Sequence, residues 1–347
     1  MRKLSLRVNA KINLFLRVAG IDEIGYHILE TLAFSGDICD TVEITERAEG
    51  GVSLEMPRKI GGENNALAAA EKLAGKHGLN GFGIFIDKRI PVAAGLGGSS
   101  ADAAALIFGL KELYGIPGGD FAEYGGDVPF MLTGGVAAMR GGKDLSSESA
   151  YSKTELLAAL KRYTFLIVKP KGEMLTRKVF AVYDEIKAAH AAGCENGGQT
   201  INAVSIARNY DESGGKITGA ETGFENGGGE KDADIEALIG ALIADDREEI
   251  RRNLRNDLYP AAVKIQPGLE RVCGEITGCG AFACVMTGSG NAFVGLFGDK
   301  NAAAAAANGL KNRYEEVIVC RAADRGIEPI IKRTEISNKN KKTPKNF

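Results

Sequence analysis

Residues 91–106 read PVAAGLGGSSADAAAL, and the rest of the chain is best read outward from them. Gly95, Gly97 and Gly98 crowd together with only Leu96 between, and Ser99 and Ser100 follow. The continuation, ADAAALIFGLKEL, is made largely of strong helix formers. A glycine-rich turn that feeds a helix start is a natural anion site. The first N–H groups of a helix have no partner within it, and the helix dipole adds partial positive charge there. Without a Cβ, the backbone can press against a phosphate. The alternative on this stretch alone is a plain strand-to-helix turn capped by Ser99 or Ser100. No Lys-Ser or Lys-Thr closes the loop, so it is not a Walker A loop, and G-L-G-G-S-S is not the dinucleotide fingerprint G-x-G-x-x-G.

The flanks supply the strand and helix this turn needs. GFGIFIDKRI (81–90) alternates as a strand and enters the loop. Upstream, NNALAAAEKLAGKHGL (64–79) reads as a helix, with Asn64 or Asn65 to cap it and Gly78 to end it. Residues 3–18 alternate as a strand. Ala10, Ile12, Leu14 and Leu16 share one face; Lys11, Asn13, Phe15 and Arg17 share the other, which looks like the lining of a site. Gly25 permits a turn, after which Tyr26 and His27 present an aromatic ring and an imidazole; a hairpin with a packed tyrosine is the plainer reading. In YGGDVPFMLTGGV (124–136), Asp127 follows two glycines and precedes apolar residues, so it is either a positioned carboxylate or a turn cap.

The second half is also mixed. YTFLIV (163–168) is a compact strand and the segment after KPKGEML turns helical. Residues 191–232 are rich in Gly, Glu and Asn and poor in aliphatics, which predicts a long surface loop. Helices resume at 233–257. ACVMTGSGNAFVGLF (283–297) is a second glycine turn between apolar runs, suited to meet a phosphate, to hold the first loop, or to make a simple hairpin. An alanine-rich helix, a closing strand and a basic tail at 331–347 follow.

The 347 residues are 44% hydrophobic and 25% charged, enough for two cores. A formal net charge of −2 provides no global field for nucleic acid or an acidic membrane. Arg7, Lys11 and Arg17 interrupt the apolar runs at the start, which does not read as a secretory signal. The six cysteines form no C-x-x-C pair or common zinc spacing and read as reduced thiols of a cytoplasmic protein, with no protein-held metal.

Taken together, the motifs resemble the GHMP kinase superfamily. PVAAGLGGSSADAAA is similar to its phosphate loop. NAKINLFLRV, GYHILETL, GGDVPFMLTGG, NDLYPAA (256–262) and VMTGSGNAFVGLF (285–297) resemble, more narrowly, its kinases of 4-diphosphocytidyl-2-C-methyl-D-erythritol, in the non-mevalonate isoprenoid route. The resemblance spans roughly residues 5–325 without 191–232. It implies an α+β fold of two domains, 1–150 and 151–330, with the active site in the cleft between them. It implies ATP and Mg²⁺, a small-molecule acceptor, and transfer of the γ-phosphoryl group to the 2-hydroxyl of the methylerythritol unit. Asp127 would take the hydroxyl proton, and Lys11 would stand beside it and stabilise charge growing on the phosphoryl oxygens. Pro91, Ala94, Gly95, Leu96, Gly97, Gly98, Ser99, Ser100 and Ala101 would hold ATP, with Asn65 and Lys88 near the adenine. Tyr26, His27 and, by spacing from Thr176, Phe180 would receive the cytosine between stacked rings. The chain departs from the family in a shorter segment before Asp127, in RGGKD where the family has G-x-G-E, and in the insertion at 191–232. A homoserine- or mevalonate-type kinase and a non-catalytic nucleotide-binding relative are the competing readings.

Overall fold

The computed structural model describes residues 2–48, 50–57, 65–117, 121–141, 146–147, 152–195 and 234–331. Most of the expected insertion and all but the first residue of the expected tail therefore lie outside the described residues. The first half supplies strands β1 (Lys3–Ile21), β2 (His27–Glu46), β3 (Val52–Glu55), β4 (Phe82–Asp87), β5 (Val136–Gly141) and β6 (Ser146–Ser147). The second supplies β7 (Thr164–Lys169), β8 (Arg255–Asn256), β9 (Ala283–Met286), β10 (Phe293–Phe297), β11 (Glu316–Cys320) and β12 (Ile327–Ile331). Helices are α1 (Asn65–His77), α2 (Gly98–Tyr114), α3 (Val128–Thr133), α4 (Lys153–Leu160), α5 (Thr176–Glu195), α6 (Ile235–Ala244), α7 (Arg247–Asn253), α8 (Tyr259–Ile265), α9 (Val272–Gly278) and α10 (Lys300–Leu310). Among the described residues no helix is long and apolar enough to cross a membrane.

Two sheets form. The larger runs β12-β1-β2-β4-β3, with β5 on β2, β6 on β5 and β8 on β1; the smaller runs β11-β7-β10-β9. The first is built on β1 and β2, which pair antiparallel over almost their whole length. Strand β2 serves two neighbours in turn: its start pairs with β5 and its end with β4. β12 and β8 come from the second half of the chain, so strand pairing crosses residue 150. The main core also draws on both halves, Ile12 and Leu106 packing in one cluster with Phe165 and Ile239.

Period-two alternation in β1 buries Leu4, Leu6, Val8, Ala10, Ile12 and Leu14. Register shifts after Asn9, Asn13 and Val18 break it. Such bulges re-aim side chains. After the shift beyond Asn13, Phe15 is fully buried in the core beside Leu14. This corrects the expectation that Phe15 lines the same site face as Lys11. Helix α2 lies against β1 and β2 on an alanine-rich surface, and a Cβ on its Gly109 would stand 2.4 Å from Ile44 Cδ1. Close approach explains the small residues that the sequence shows here.

Candidate active site

The glycine loop joins β4 to α2 as expected, but its helix is not capped by a serine. Gly97 is the N-cap, in the left-handed region at φ 69°, without a side-chain cap bond. Ser99 and Ser100 lie within the first turn, Ser99 exposed. Ala101 N donates to Gly97 O at 2.9 Å, leaving the amides of Gly98, Ser99 and Ser100 outside the helix ladder. Pro91, Ala94, Leu96 and Ala101 turn their side chains into the protein. What they offer a ligand is backbone.

Two elements hold the loop. From β1, Lys11 N donates to Leu96 O at 3.0 Å. From the β9–β10 hairpin, Ala292 N donates to Ala94 O at 3.2 Å. A Cβ on Gly95 would stand 2.4 Å from Thr287 O, and one on Gly290 would stand 2.0 Å from the Ala94 carbonyl carbon. The two glycine turns therefore meet main chain to main chain, and the second glycine stretch holds the first loop. Asn256, in the NDLYP stretch, donates to Met286 O and Gly288 O, both at 2.8 Å, and so braces the hairpin. The loop also contains Ala93 at φ 54°, a left-handed conformation that costs a non-glycine residue energy.

Lys11 and Asp127 come together across the outer side of this loop. Lys11 Nζ donates to Asp127 Oδ1 at 2.7 Å, with the lysine side chain 9% and the carboxylate 27% exposed. Asp127 stands just before α3, which has Pro129 in its first turn, and it makes no capping bond with its side chain. A Cβ on Gly97 would lie 3.4 Å from Lys11 Cβ and 3.9 Å from Asp127 Oδ2. The ion pair and the helix mouth therefore adjoin, despite the short segment before Asp127. Nearby on β1, Asn13 N donates to Thr287 Oγ1 at 2.9 Å, its side-chain amide donates to Thr31, and its buried Oδ1 has no partner among the described residues.

Lys88 is elsewhere. Its side chain is 3% exposed and its ammonium donates to Asp40, to Asp102 Oδ2 at 2.7 Å and to Gly98 O at 3.2 Å. The resemblance puts Lys88 near the adenine; its ammonium is enclosed by protein on the inner side of the loop, so its side chain is not presented to a ligand. Burial lowers the tendency of Lys88 to hold its proton, but Asp102 and Asp40 outweigh it, so its pKa ends above the ordinary lysine value. Asn65 opens α1, and its side chain lies outside the described part of the structure.

The aromatic group lies at the start of β2 and on α5. His27 stacks on Phe180 with ring centroids 4.7 Å apart and meets Tyr183 edge-on at 6.1 Å. His27 and Phe180 touch too closely to admit a third ring between them. Tyr26 is 52% exposed and its ring has no ring partner among the described residues, so it is the side chain open to a flat ligand. Thr176 Oγ1 lies 2.8 Å from Ser289 Oγ, linking the start of α5 to the hairpin loop. Sequence reasoning missed Asp184, whose Oδ1 is 2.7 Å from His27 Nε2. It follows Phe180 by four residues, which puts both on one helix face, and that spacing was the available signal. It also missed Asp40, Asp102 and Tyr183, which sit in apolar or mixed runs that look like ordinary strand and helix.

The GHMP kinases N terminal domain model matches residues 64–135 and the GHMP kinases C terminal model residues 238–316. A 4-diphosphocytidyl-2-C-methyl-D-erythritol kinase of Moorella thermoacetica is 32% identical over 331 residues, 92% of this chain and 99% of that one. The kinase of the same name from Pelotomaculum thermopropionicum is 31% identical, covering 90% and 95%. The crystal structure of a 4-(cytidine 5'-diphospho)-2C-methyl-D-erythritol kinase superposes with a TM-score of 0.64 at 26% identity, over 93% of this chain and all of the other. A homoserine kinase from Cytophaga hutchinsonii, 17% identical, gives 0.63 over 94% and 97%, a likeness of fold. With the glycine loop, the Lys11–Asp127 pair and a relative alike over nearly its whole length, the chain belongs to the 4-diphosphocytidyl-2-C-methyl-D-erythritol kinase family of the GHMP kinases.

Proposed function

We infer that this kinase transfers the γ-phosphoryl group of ATP to the 2-hydroxyl of 4-diphosphocytidyl-2-C-methyl-D-erythritol. The observation that carries the reading is the 2.7 Å pair of Lys11 and Asp127 set against Gly97 at the mouth of α2. Phosphoryl transfer asks little covalent chemistry of the protein; it asks for placement, charge stabilisation and somewhere for the hydroxyl proton to go. The amides of Gly98, Ser99 and Ser100 point their dipoles at the triphosphate. Asp127 receives the proton as the acceptor oxygen bonds to the γ-phosphorus and the bond to the β-phosphate oxygen breaks. Lys11 faces the same reacting atoms and stabilises their negative charge.

Oxygen donors suited to Mg²⁺ adjoin the loop: the Ser99 and Ser100 hydroxyls. When bound, Mg²⁺ would neutralise phosphate charge and fix the donor's orientation. Tyr26 and the His27–Phe180 ring pair that follows it in the chain receive the cytosine, while Thr176 helps to fix the start of α5 beside that subsite. Asn65 is assigned to the adenine side. We propose lobes at 1–150 and 151–330, with β8 and β12 joining the first sheet, and a cytoplasmic location.

The test is a coupled ADP-release assay with the purified chain, ATP and Mg²⁺, offering in parallel the cytidylylated methylerythritol, homoserine and mevalonate. Turnover with the first alone is the expected result. Turnover only with homoserine or mevalonate would replace the substrate assignment, and no turnover with any acceptor would support a nucleotide-binding relative.

A further inference from the structure

The Lys88 cluster is far better built than a stray buried salt bridge, and the catalytic reading above makes no use of it. Asp40 is fully buried, yet each of its oxygens is engaged. Oδ1 accepts from Arg89 N at 2.5 Å and Ile90 N at 2.8 Å, and Oδ2 accepts from Lys88. Asp40 thus fixes the strap that runs from β4 into the glycine loop. Asp102, one turn into α2, accepts from the same ammonium through Oδ2, and its buried Oδ1 has no partner among the described residues. The third bond of Lys88 goes to Gly98 O. A Cβ on Gly98 would lie 3.2 Å from the ammonium and 3.3 Å from Ile90 Cγ2, tight enough that a larger residue would push these side chains back by a few tenths of an ångström.

The carbonyl of Gly98 and the N–H of Ser99 belong to one peptide unit. A cation on the carbonyl draws electron density toward oxygen and leaves the N–H a stronger donor, as in any cooperative hydrogen-bond chain. That N–H is one of the unpartnered amides at the mouth of α2. Asp40 and Asp102 hold the ammonium in place, and the low-dielectric surroundings keep its field unscreened on this side of the loop. We propose that Lys88 is a positioning residue for the phosphoryl donor: anchored by Asp40 and Asp102, it fixes and polarises the Gly98–Ser99 peptide from inside, so that the Ser99 amide meets the nucleotide phosphates. Lys88 thereby acts on ATP without touching it. The assignment rests on the glycine loop being the ATP site.

Three forms of the full chain test it: wild type, Lys88→Met, and Lys88→Met/Asp40→Asn/Asp102→Leu. The triple form removes every charge of this cluster, and neutral replacement of a whole buried ion cluster commonly preserves folding where removal of one partner does not. Melting temperature, ATP affinity by calorimetry without acceptor, and both KM values are measured. The expected result is a rise of about tenfold in the Kd and KM for ATP in both variants, an unchanged acceptor KM, and recovery of melting temperature but not of ATP affinity in the triple form. Wild-type ATP affinity in a folded triple form overturns the proposal, as does an equal rise in both KM values. If Lys88→Met does not fold, the triple form alone decides. Failure of the wild type to bind ATP would instead strike the functional reading of the loop.

Discussion

Two lysine–aspartate pairings flank one turn of backbone, and they have opposite characters. On the outer side Lys11 meets a single carboxylate, Asp127, which is 27% exposed. On the inner side Lys88 meets two carboxylates, none of the three side chains more than 4% exposed. Residue type and contact distance hardly distinguish them: Lys11–Asp127 and Lys88–Asp102 are both 2.7 Å. Access does. The outer carboxylate keeps Oδ2 toward the glycine loop, where a reacting hydroxyl can approach, whereas the inner group is closed on all sides and acts only through the peptide it holds. An ion pair is thus read for function by what its free lone pairs face, and only then by its partners.

The comparison breaks most readily at Asp127. Asp127→Asn preserves shape and removes the proton acceptor, so kcat should fall by about 10²–10⁴-fold while ATP affinity persists; steady-state kinetics with calorimetry measures both, and undiminished turnover takes Asp127 out of the chemistry. Lys11→Ala comes next, with kcat lowered by about 10²-fold and nucleotide affinity changed far less. A loss confined to ATP affinity would make Lys11 a binding group and erase the contrast drawn above.

A smaller effect sharpens the inner side. Burial, set against the attraction of Lys88, pushes the Asp102 carboxyl up to about 7 from an ordinary value of 3.8. Between those pH values the folded chain holds a proton that the unfolded chain has released. Stability from this group is therefore full below the lower value and declines as pH rises through the upper one. Asp102→Asn removes that slope, so the melting temperature of the variant relative to wild type should be higher near about pH 8 than near about pH 5, by about 2–4 °C; a difference independent of pH would mean that Asp102 stays ionised throughout. The smallest change expected is at the loop itself. Ala93→Gly relieves the left-handed conformation at φ 54° and should stabilise the fold by about 0.5–1 kcal/mol, seen in thermal unfolding, with kinetics little altered.

Much of this was legible in the residues. Glycines followed by helix formers located the loop and α2, because backbone freedom and helix propensity are local properties. Alternation located β1, although its bulges were invisible: a register shift is decided by the partner strand, and so Phe15 was placed on the wrong face. Lys11 and Asp127 were legible through motif resemblance, and their 116-residue separation offered no local clue to the contact. Lys88 shows the opposite limit. Its position before the loop was informative, but its direction depended on Asp40 and Asp102, each brought in from a different element. The β9–β10 turn was read with three uses open, and only its packing against Gly95 selected one.

That packing has a thermodynamic consequence. Where Gly95 lies against Thr287 and Gly290, backbone abuts backbone, and there are no rotamers to give slack. On the proposed reading of this loop as the ATP site, a nucleotide would find its receptor already moulded, and little chain disorder would be surrendered when it docks. Selection among triphosphates and their analogues would then fall to shape set in advance by residues nearly two hundred positions downstream.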